Sequence, residues 1–311
     1  MRAIVQTSYG GPEVLGLTED LPTPEPGPGE IRIRVRAAGV NPTDWKHRAA
    51  PLFVDRLPLV LGWDVAGIVD KIGYGVTILD EGDEVFGMLP YPHGVGAYAE
   101  YVLAPARSMV RKPENVDFVH AAALPLASLT AWQALNDTAR VTVGQRVLVQ
   151  GAAGGVGHLA VQIASRLGAK VVGTASEKDL DHVRSLGAAD ALDYHTTDIH
   201  AAVREADAAL VPFAGETRLD SLSTVREGGT FVTLLRTEPG SDEERIADEH
   251  GIRYKTLLVE SDHAGMQVIA DMARSGALRA SIHDALPLCQ AAEAHRLGEA
   301  GHISGKLVLV V

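Results

Sequence analysis

The sequence contains a single cysteine, Cys289, among 311 residues. One thiol cannot form an intramolecular disulfide, and a zinc site with several cysteine ligands cannot be built from it. We therefore expect the protein in the reducing cytoplasm. We expect Cys289 to be a buried helix residue.

The sequence has no long apolar run, and its 28 basic residues are outnumbered by 40 acidic ones. The longest apolar stretch, residues 119–135, is broken by Pro125 and carries Ser128, Thr130 and Gln133, so we predict no membrane span. The N-terminal residues read as a strand and lack the apolar core of a signal peptide. The formal net charge of −12 disfavours binding to nucleic acid or to an anionic membrane surface.

The remaining composition is that of a globular protein, with 46% apolar and 22% charged residues. Up to about residue 106 the apolar runs are short and bounded by glycine or proline, which predicts a mainly β segment. From about residue 119 strands and helices alternate, which predicts a parallel sheet covered by helices on both faces. The predicted strands are 1–6, 31–36, 65–72, 84–88, 97–103, 146–150, 170–174, 189–193, 206–212, 229–234, 252–258 and 306–311, and the predicted helices are 121–125, 129–139, 155–167, 178–186, 217–225, 262–275 and 289–298.

A strand, a glycine-rich turn and a helix follow one another within residues 147–160. Ala152, Gly154 and Gly157 occupy the three positions of a dinucleotide-binding fingerprint. Such a turn lets a pyrophosphate approach the amides of a helix N-terminus, although it can also be only a tight connection. The candidate pyrophosphate-binding residues are Gly151, Ala152, Ala153, Gly154, Gly155, Val156 and Gly157.

The chain about twenty residues beyond the turn bears on the choice of dinucleotide. NAD-specific units place a carboxylate there, on the adenosine 2′-hydroxyl. Here Thr174 is followed by Ser176 and Lys178, and a hydroxyl with a lysine can hold a 2′-phosphate, which favours NADPH. Two alternatives stay open: Ser176 caps the next helix while Lys178 is solvated, or Glu177 turns toward the ribose and permits NADH.

A series of ordered motifs resembles the zinc-free quinone oxidoreductase branch of the medium-chain dehydrogenase/reductase family. The resemblance covers nearly the whole chain, and several motifs at family spacing are more specific than one glycine turn. The motifs are residues 37–44, 62–67, 82–87, 96–101, Leu124-Pro125, 129–131, the glycine turn, 186–188, His302 and Gly305-Lys306.

The resemblance implies an α/β fold with two domains. A GroES-like β-barrel catalytic domain is expected over residues 1–120 and 282–311. A Rossmann domain with a doubly wound parallel sheet, which binds NADP, is expected over residues 121–281, with the active site in the cleft between the two. It also implies a homodimer paired through the Rossmann sheets, for which strand 252–258 is the candidate edge.

The resemblance also bears on metal use. Asn41, Trp63 and Leu126 correspond to the positions of the catalytic zinc ligands in zinc-dependent members, and neither indole nor leucine can ligate zinc. We therefore predict no metal and interpret the twelve histidines as surface or packing residues. Without a Lewis acid, reduction of a quinone or of a conjugated C=C bond is favoured over alcohol oxidation, because it needs chiefly an oriented hydride and hydrogen bonds to the developing oxyanion.

Candidate site residues also follow from the resemblance. It places Asn41 and Asp44 near the nicotinamide, Thr130 against the cofactor and Tyr194 at its adenosine end. Asn41 can donate an amide hydrogen bond to the substrate or to the nicotinamide. Asp44 either orients its neighbours or takes part in proton transfer.

The sequence leaves the roles of three further candidates open. Lys46 stands where many relatives carry an aromatic residue, and it can contact NADPH, donate a proton or point into solvent. Tyr91 and Trp63 are candidates to line an apolar slot, although core packing explains Trp63 equally well.

The predicted function is an NADPH-dependent, zinc-independent reductase of a quinone or of the C=C bond of an α,β-unsaturated carbonyl. One alternative is a non-catalytic NADPH-binding or stress-responsive protein. Another is an enoyl reductase that tailors a polyketide-like intermediate.

Overall fold

The structure is a computed structural model that describes all 311 residues, Met1–Val311. Contacts divide the chain into two compact units: unit 1 is Met1–Leu129 with Glu260–Val311, and unit 2 is Thr130–Val259. The strands are β1 (Ala3–Gln6), β2 (Leu15–Thr18), β3 (Glu30–Val40), β4 (Leu59–Val60), β5 (Asp64–Ile72), β6 (Glu84–Met88), β7 (Tyr101–Pro105), β8 (Met109–Arg111), β9 (Arg146–Val149), β10 (Lys170–Ala175), β11 (Asp190–Asp193), β12 (Ala206–Val211), β13 (Val225–Thr233), β14 (Arg253–Thr256), β15 (Ile282–Pro287) and β16 (Lys306–Val310). The helices are α1 (Pro42–Ala49), α2 (Phe118–Ala122), α3 (Pro125–Trp132), α4 (Gly157–Arg166), α5 (Leu180–Ser185), α6 (Ile199–Ala202), α7 (Glu216–Leu222), α8 (Asp242–Glu249), α9 (His263–Ser275) and α10 (Ala291–Ala300).

Unit 1 is built on the long strand β3. Its Ile31, Ile33 and Val35 are buried while Arg34 and Arg36 are exposed, the alternation of a strand with one face on the core. β3 pairs antiparallel with β5, β7 and β16 in a seven-stranded sheet, and its register with β5 shifts at two places. Such bulges bend a strand and let a sheet curve. A separate three-stranded sheet has the order β2-β1-β4.

Unit 2 contains a six-stranded parallel sheet in the order β11-β10-β9-β12-β13-β14. Numbered from β9, this is the order 3-2-1-4-5-6 of a doubly wound dinucleotide-binding fold. Leu148, Val172, Ala209 and Phe231 belong to the core on this sheet. The α/β fold with a Rossmann sheet is therefore confirmed, and the order of connections reverses beside β9.

Several elements differ from the predictions. Residues 97–103 do not form one strand: Tyr98 bonds the backbone of Leu61 and Ile4, and β7 begins only at Tyr101. The predicted helix 129–139 is α3 followed by a π-helical turn, Gln133–Thr138.

The expectation for Cys289 was wrong. Cys289 is exposed, and it lies in a 3₁₀ turn, Leu288–Gln290, just before α10. Leu288 and Ala291 occupy the buried positions of this segment, so the thiol points outward. Across the whole structure, no helix combines the length and apolar character needed to cross a membrane.

Candidate cofactor and catalytic sites

The glycine turn of unit 2 has a geometry that only glycine permits at two positions. Gly151 has a φ of +64°, in the left-handed region that favours glycine. A Cβ at Gly157 would lie 2.1 Å from the carbonyl oxygen of Gly151. The turn is closed by hydrogen bonds from Gly154 N to Gly151 O, 2.9 Å, and from Ala152 N to Thr174 O, 2.7 Å.

The turn leaves donors for an anion. The backbone N–H groups of Gly155, Val156 and Gly157 donate to no acceptor within the protein, as expected where α4 begins. Ala152 and Ala153, which precede them in the turn, are buried. Three successive amides at the carboxyl end of β9 fit a pyrophosphate.

Thr174 supports this turn from within. Its hydroxyl donates to Gln150 Oε1 at 2.5 Å and accepts from Gly151 N at 3.1 Å. The side chain is 1% exposed. In the structure, the Thr174 side chain thus holds the backbone of Gly151 in place. From the sequence, Thr174 was expected among the cofactor-binding residues.

The other cofactor candidates of unit 2 lie at the carboxyl ends of β10 and β11, except for Thr130. Ser176 is partly buried and Lys178 is exposed. Tyr194 is half exposed; its backbone N donates to Ala175 O, and its ring lies 4.3 Å from that of His195. Thr130 is buried in α3. Ser176, Lys178 and Tyr194 are therefore brought to one edge of the sheet.

In unit 1, Asn41 belongs to a buried polar cluster. Its Nδ2 donates to Asp64 Oδ2 at 2.9 Å, and Lys306 Nζ donates to its Oδ1 and to Val40 O. The backbone N of Leu126 donates to Asp64 Oδ1 at 2.7 Å. Asn41 and Leu126, two of the positions assigned to zinc ligands, thus meet around Asp64.

Burial shifts both charged members of this cluster toward neutrality. Burial raises the pKa of Asp64, and Lys306 opposes the rise. Burial also lowers the pKa of Lys306, with Asp64 opposing. Sequence reasoning missed both residues as site members, although Asp64 lies in the motif 62–67 and Lys306 in the pair Gly305-Lys306. Throughout the structure, no group of three or more His, Cys, Asp or Glu side chains is arranged to hold a metal ion.

Asp44 fixes the start of α1. Its Oδ2 accepts from Asn41 N at 2.6 Å, one half of a capping box with the Asn41 side chain. The carboxyl is fully buried, and this burial raises its pKa to about 7, against the opposing hydrogen bond from Asn41. Lys46, two residues further on, is exposed.

Four rings form an aromatic cluster, defined as His47, Phe53, Trp63 and Tyr91. The Trp63 ring lies 4.9 Å from His47 and 5.4 Å from Tyr91, and Phe53 lies 6.1 Å from Tyr91. Trp63 is fully buried, and its Nε1 donates to Pro92 O. Tyr91 carries the only hydroxyl of the cluster, 3.1 Å from Thr43 Oγ1.

Comparison with known proteins supports both halves of this description. The family model for the alcohol dehydrogenase GroES-like domain matches residues 27–114, and that for zinc-binding dehydrogenase matches residues 186–309. The chain is 34% identical to the chloroplastic NADPH-dependent alkenal/one oxidoreductase of Arabidopsis thaliana, over 99% of this chain and 79% of that protein.

The chain has the same fold as two solved quinone oxidoreductase structures. The quinone oxidoreductase from Coxiella burnetii has a TM-score of 0.93 at 36% identity, covering 100% of this chain and 99% of that one. The Escherichia coli quinone oxidoreductase complexed with NADPH has a TM-score of 0.91 at 25% identity, with full coverage of both chains.

A GroES-like unit together with a dinucleotide-type α/β unit defines the class of a two-unit oxidoreductase. The chain belongs to the medium-chain dehydrogenase/reductase family, in its quinone oxidoreductase branch. The family that the motifs indicated is thereby confirmed.

Proposed function

We propose that the protein is an NADPH-dependent reductase of quinones and of the C=C bond of α,β-unsaturated carbonyls. The observation that carries the proposal is the glycine turn, whose three uncommitted amides lie at the carboxyl end of β9. The NADPH-dependent alkenal/one oxidoreductase and the NADPH-bound quinone oxidoreductase among the similar proteins support the choice of cofactor and acceptor.

In this proposal each cofactor candidate has one role. The amides of Gly155, Val156 and Gly157 bind the pyrophosphate, and Lys178 with Ser176 faces the 2′-phosphate. Tyr194 packs at the adenosine end, and Thr130 lies against the nicotinamide half. When bound, NADPH supplies the hydride.

Asn41 is oriented to donate a hydrogen bond to an oxygen atom. Its Oδ1 accepts from Lys306, and one Nδ2 hydrogen goes to Asp64. An amide nitrogen carries two hydrogens, so one remains for a substrate carbonyl or for the carboxamide of the cofactor. Lys306 and Asp64 are positioning residues in this scheme, and Asp44 holds Asn41 by its backbone.

Tyr91 provides the second donor. The Phe53 N–H donates to His47 Nε2 at 3.4 Å, so the ring proton is on Nδ1, which donates to Thr43 O at 2.8 Å and contacts Thr43 Oγ1. Either hydroxyl can donate in the 3.1 Å contact between Thr43 and Tyr91, and we propose that Thr43 is the donor. The phenolic proton of Tyr91 is left for an acceptor, and burial raises the pKa of Tyr91, so the phenol keeps that proton at neutral pH. Hydrogen bonds of this kind stabilise the oxyanion that develops during reduction.

The side chains at the three zinc-ligand positions, Asn41, Trp63 and Leu126, favour a reaction without zinc. Trp63 and Leu126 have no atom that ligates zinc, and the Asn41 amide oxygen is occupied by Lys306. We propose that Asn41 and Tyr91 take over the polarisation of the substrate oxygen. Lys46, exposed on α1, has no part in this step.

The test is to follow NADPH consumption with a panel of quinones, enones and one enoyl thioester, in the presence of a chelator. We expect turnover with quinones or enones. Turnover confined to the thioester would favour the tailoring enoyl reductase. Tight NADPH binding without turnover of any acceptor would replace the proposal by a non-catalytic NADPH-binding protein.

We further propose a cytoplasmic homodimer. Strand β14 lies at the edge of the unit 2 sheet, and three of its four residues are exposed. An exposed edge presents unpaired backbone groups to a second strand, which supports pairing of two copies there.

A further inference from the structure

The segment that follows β10 lies where this fold distinguishes the two dinucleotides. β10 is the neighbour of β9 in the parallel sheet, and β9 leads into the glycine turn. The residue after β10 reads the 2′ position of the adenosine ribose in dinucleotide-binding units. In this chain that residue is Ser176, so the inference rests on the proposed binding of NADPH.

Ser176 is bonded to a carboxylate that the sequence motif does not reveal. Its Oγ donates to Asp179 Oδ2 at 2.7 Å, and the Asp179 N–H donates to Ser176 O at 2.9 Å. Ser176 precedes a short 3₁₀ turn, Glu177–Asp179, of which Asp179 is the last residue, and both residues are partly buried. The Ser176 hydroxyl makes no capping bond to this turn.

This bond decides what Ser176 can offer. A hydroxyl has one proton to donate, and here that proton is given to Asp179. A 2′-phosphate offers only acceptors and carries negative charge near neutral pH. It therefore gains no hydrogen bond from the Ser176 hydroxyl and is repelled by the nearby carboxylate of Asp179. A ribose 2′-hydroxyl can instead donate to Ser176 Oγ or to Asp179, which are both acceptors.

Glu177 does not take this role. Its side chain is exposed, and the hydroxyl of Ser176 is turned to Asp179 instead. The attraction for a phosphate at this edge comes from Lys178, and Asp179 lies next to it in the chain.

We propose that Asp179 is the residue that sets the ratio of NADPH to NADH binding, by withholding the Ser176 proton from a 2′-phosphate and by accepting a hydrogen bond from a 2′-hydroxyl. The protein then binds both dinucleotides, and its affinity for NADPH is below what Ser176 and Lys178 would otherwise give.

The test measures binding of two fragments, 2′,5′-ADP and 5′-ADP, by calorimetry to the wild type and to Asp179→Asn. We expect the variant to bind 2′,5′-ADP roughly 2- to 5-fold more tightly, the size of one removed repulsion near the surface, because the asparagine Oδ1 still accepts the Ser176 proton. Binding of 5′-ADP should be unchanged or weaker. Asp181→Asn is the matched control, because Asp181 is 99% exposed and pairs with Arg184 one turn away.

A double-mutant comparison separates a direct role from a general change in charge. In the wild type, Ser176→Ala should leave the affinity for 2′,5′-ADP nearly unchanged, since the hydroxyl proton is already committed. In the Asp179→Ala background, where no side-chain oxygen accepts the Ser176 proton, the same change should weaken it about 5-fold, one hydrogen bond to a charged group. Equal effects in both backgrounds would overturn the proposal.

The cofactors themselves distinguish two kinds of failure. If the wild type binds and oxidises NADPH and NADH but Asp179→Asn leaves the ratio of their Kd values unchanged, the role of Asp179 is wrong and the proposed function stands. If the wild type binds neither dinucleotide, the proposed function itself is wrong.

Discussion

At the scale of single residues, Tyr91 is the side chain whose removal is most informative. The Tyr91→Phe variant keeps the ring of the aromatic cluster and loses only the hydroxyl that faces Thr43. We expect kcat/KM for the acceptor to fall about 10-fold, the value of one hydrogen bond formed in the transition state, while the Kd for NADPH stays constant. Tyr74→Phe is the control, because Tyr74 is 88% exposed. Full retention of kcat/KM in Tyr91→Phe would remove Tyr91 from the reaction.

His295 links a second group of buried side chains. Its Nε2 lies 3.3 Å from the Tyr98 hydroxyl, and its Nδ1 lies 3.3 Å from Arg48, whose guanidinium pairs with Glu299 at 2.7 and 3.0 Å. Burial, helped by the charge of Arg48, lowers the pKa of His295 from 6.5 to about 3. The folded protein therefore holds this imidazole neutral.

This shift makes stability depend on pH. Below pH 6.5, His295 binds a proton in the unfolded chain but not in the folded protein. The contribution of His295 to the free energy of unfolding is therefore complete above pH 6.5 and is lost as the pH falls toward about 3. The loss is about 1.4 kcal/mol per pH unit in this window. Asp44 has the opposite sign, because a raised carboxyl pKa lowers stability as the pH rises toward about 7. The difference between the wild type and a His295 variant isolates the first effect.

We expect His295→Gln to flatten the decline of unfolding free energy in urea between about pH 6 and about pH 4. The glutamine amide can still accept from Arg48 and donate to Tyr98. His283→Gln, at an exposed position, should follow the wild type at every pH. Parallel curves for wild type and His295→Gln would show that His295 does not titrate on unfolding.

Sequence reasoning missed site residues for two different reasons. Asn41 was a candidate through the motif 37–44 and Tyr91 as a side chain lining an apolar slot, but the Lys306 contact that orients Asn41 spans 265 residues and has no local signal. Asp179 lies only three residues from Ser176, yet the pattern drew attention to Glu177, because spacing along the chain does not say which carboxylate turns back to a hydroxyl.

At the scale of elements, strand positions were predicted well where a run of buried apolar residues marks the strand. Strand β6 matches the predicted 84–88, and β9 and β10 are within one residue of their predicted ends. Helix α1 was not predicted because, Pro42 apart, its only apolar residues are Trp45 and Ala49, too few to mark a helical face. It is stabilised instead by Pro42 at its first turn, by the capping box and by the buried Arg48. The acidic helix α8, begun by Ser241, was not predicted for the same reason.

The glycine turn gives a prediction at this scale. In Gly157→Ala the new methyl group would meet the carbonyl oxygen of Gly151 at 2.1 Å, so the turn must open. We expect NADPH binding to weaken by at least about 10-fold, because the amides of the turn no longer converge. In Gly154→Ala the same contact is 3.2 Å, so the loss should be smaller. Fluorescence titration with NADPH measures both, and a similar loss in the two variants would contradict this account of the turn.

At the scale of the whole molecule, the proposed homodimer predicts the mass of the particle in solution. Light scattering should find twice 32.9 kDa over a range of protein concentrations, because edge-to-edge pairing of β14 extends the parallel sheet of each copy. A particle of 32.9 kDa at every concentration would exclude the dimer.

The path of the chain through unit 1 has a consequence for biosynthesis. Strand β16 lies between β15 and β3 inside the seven-stranded sheet, and its Leu307 pairs with Val40 of β3. Strand β3 therefore emerges from the ribosome about 270 residues before β16. Unit 2, by contrast, has all its sheet strands by residue 256. Domains generally fold as units during synthesis, so unit 2 can fold on the nascent chain while β3 still lacks its neighbour β16 and has one unpaired edge.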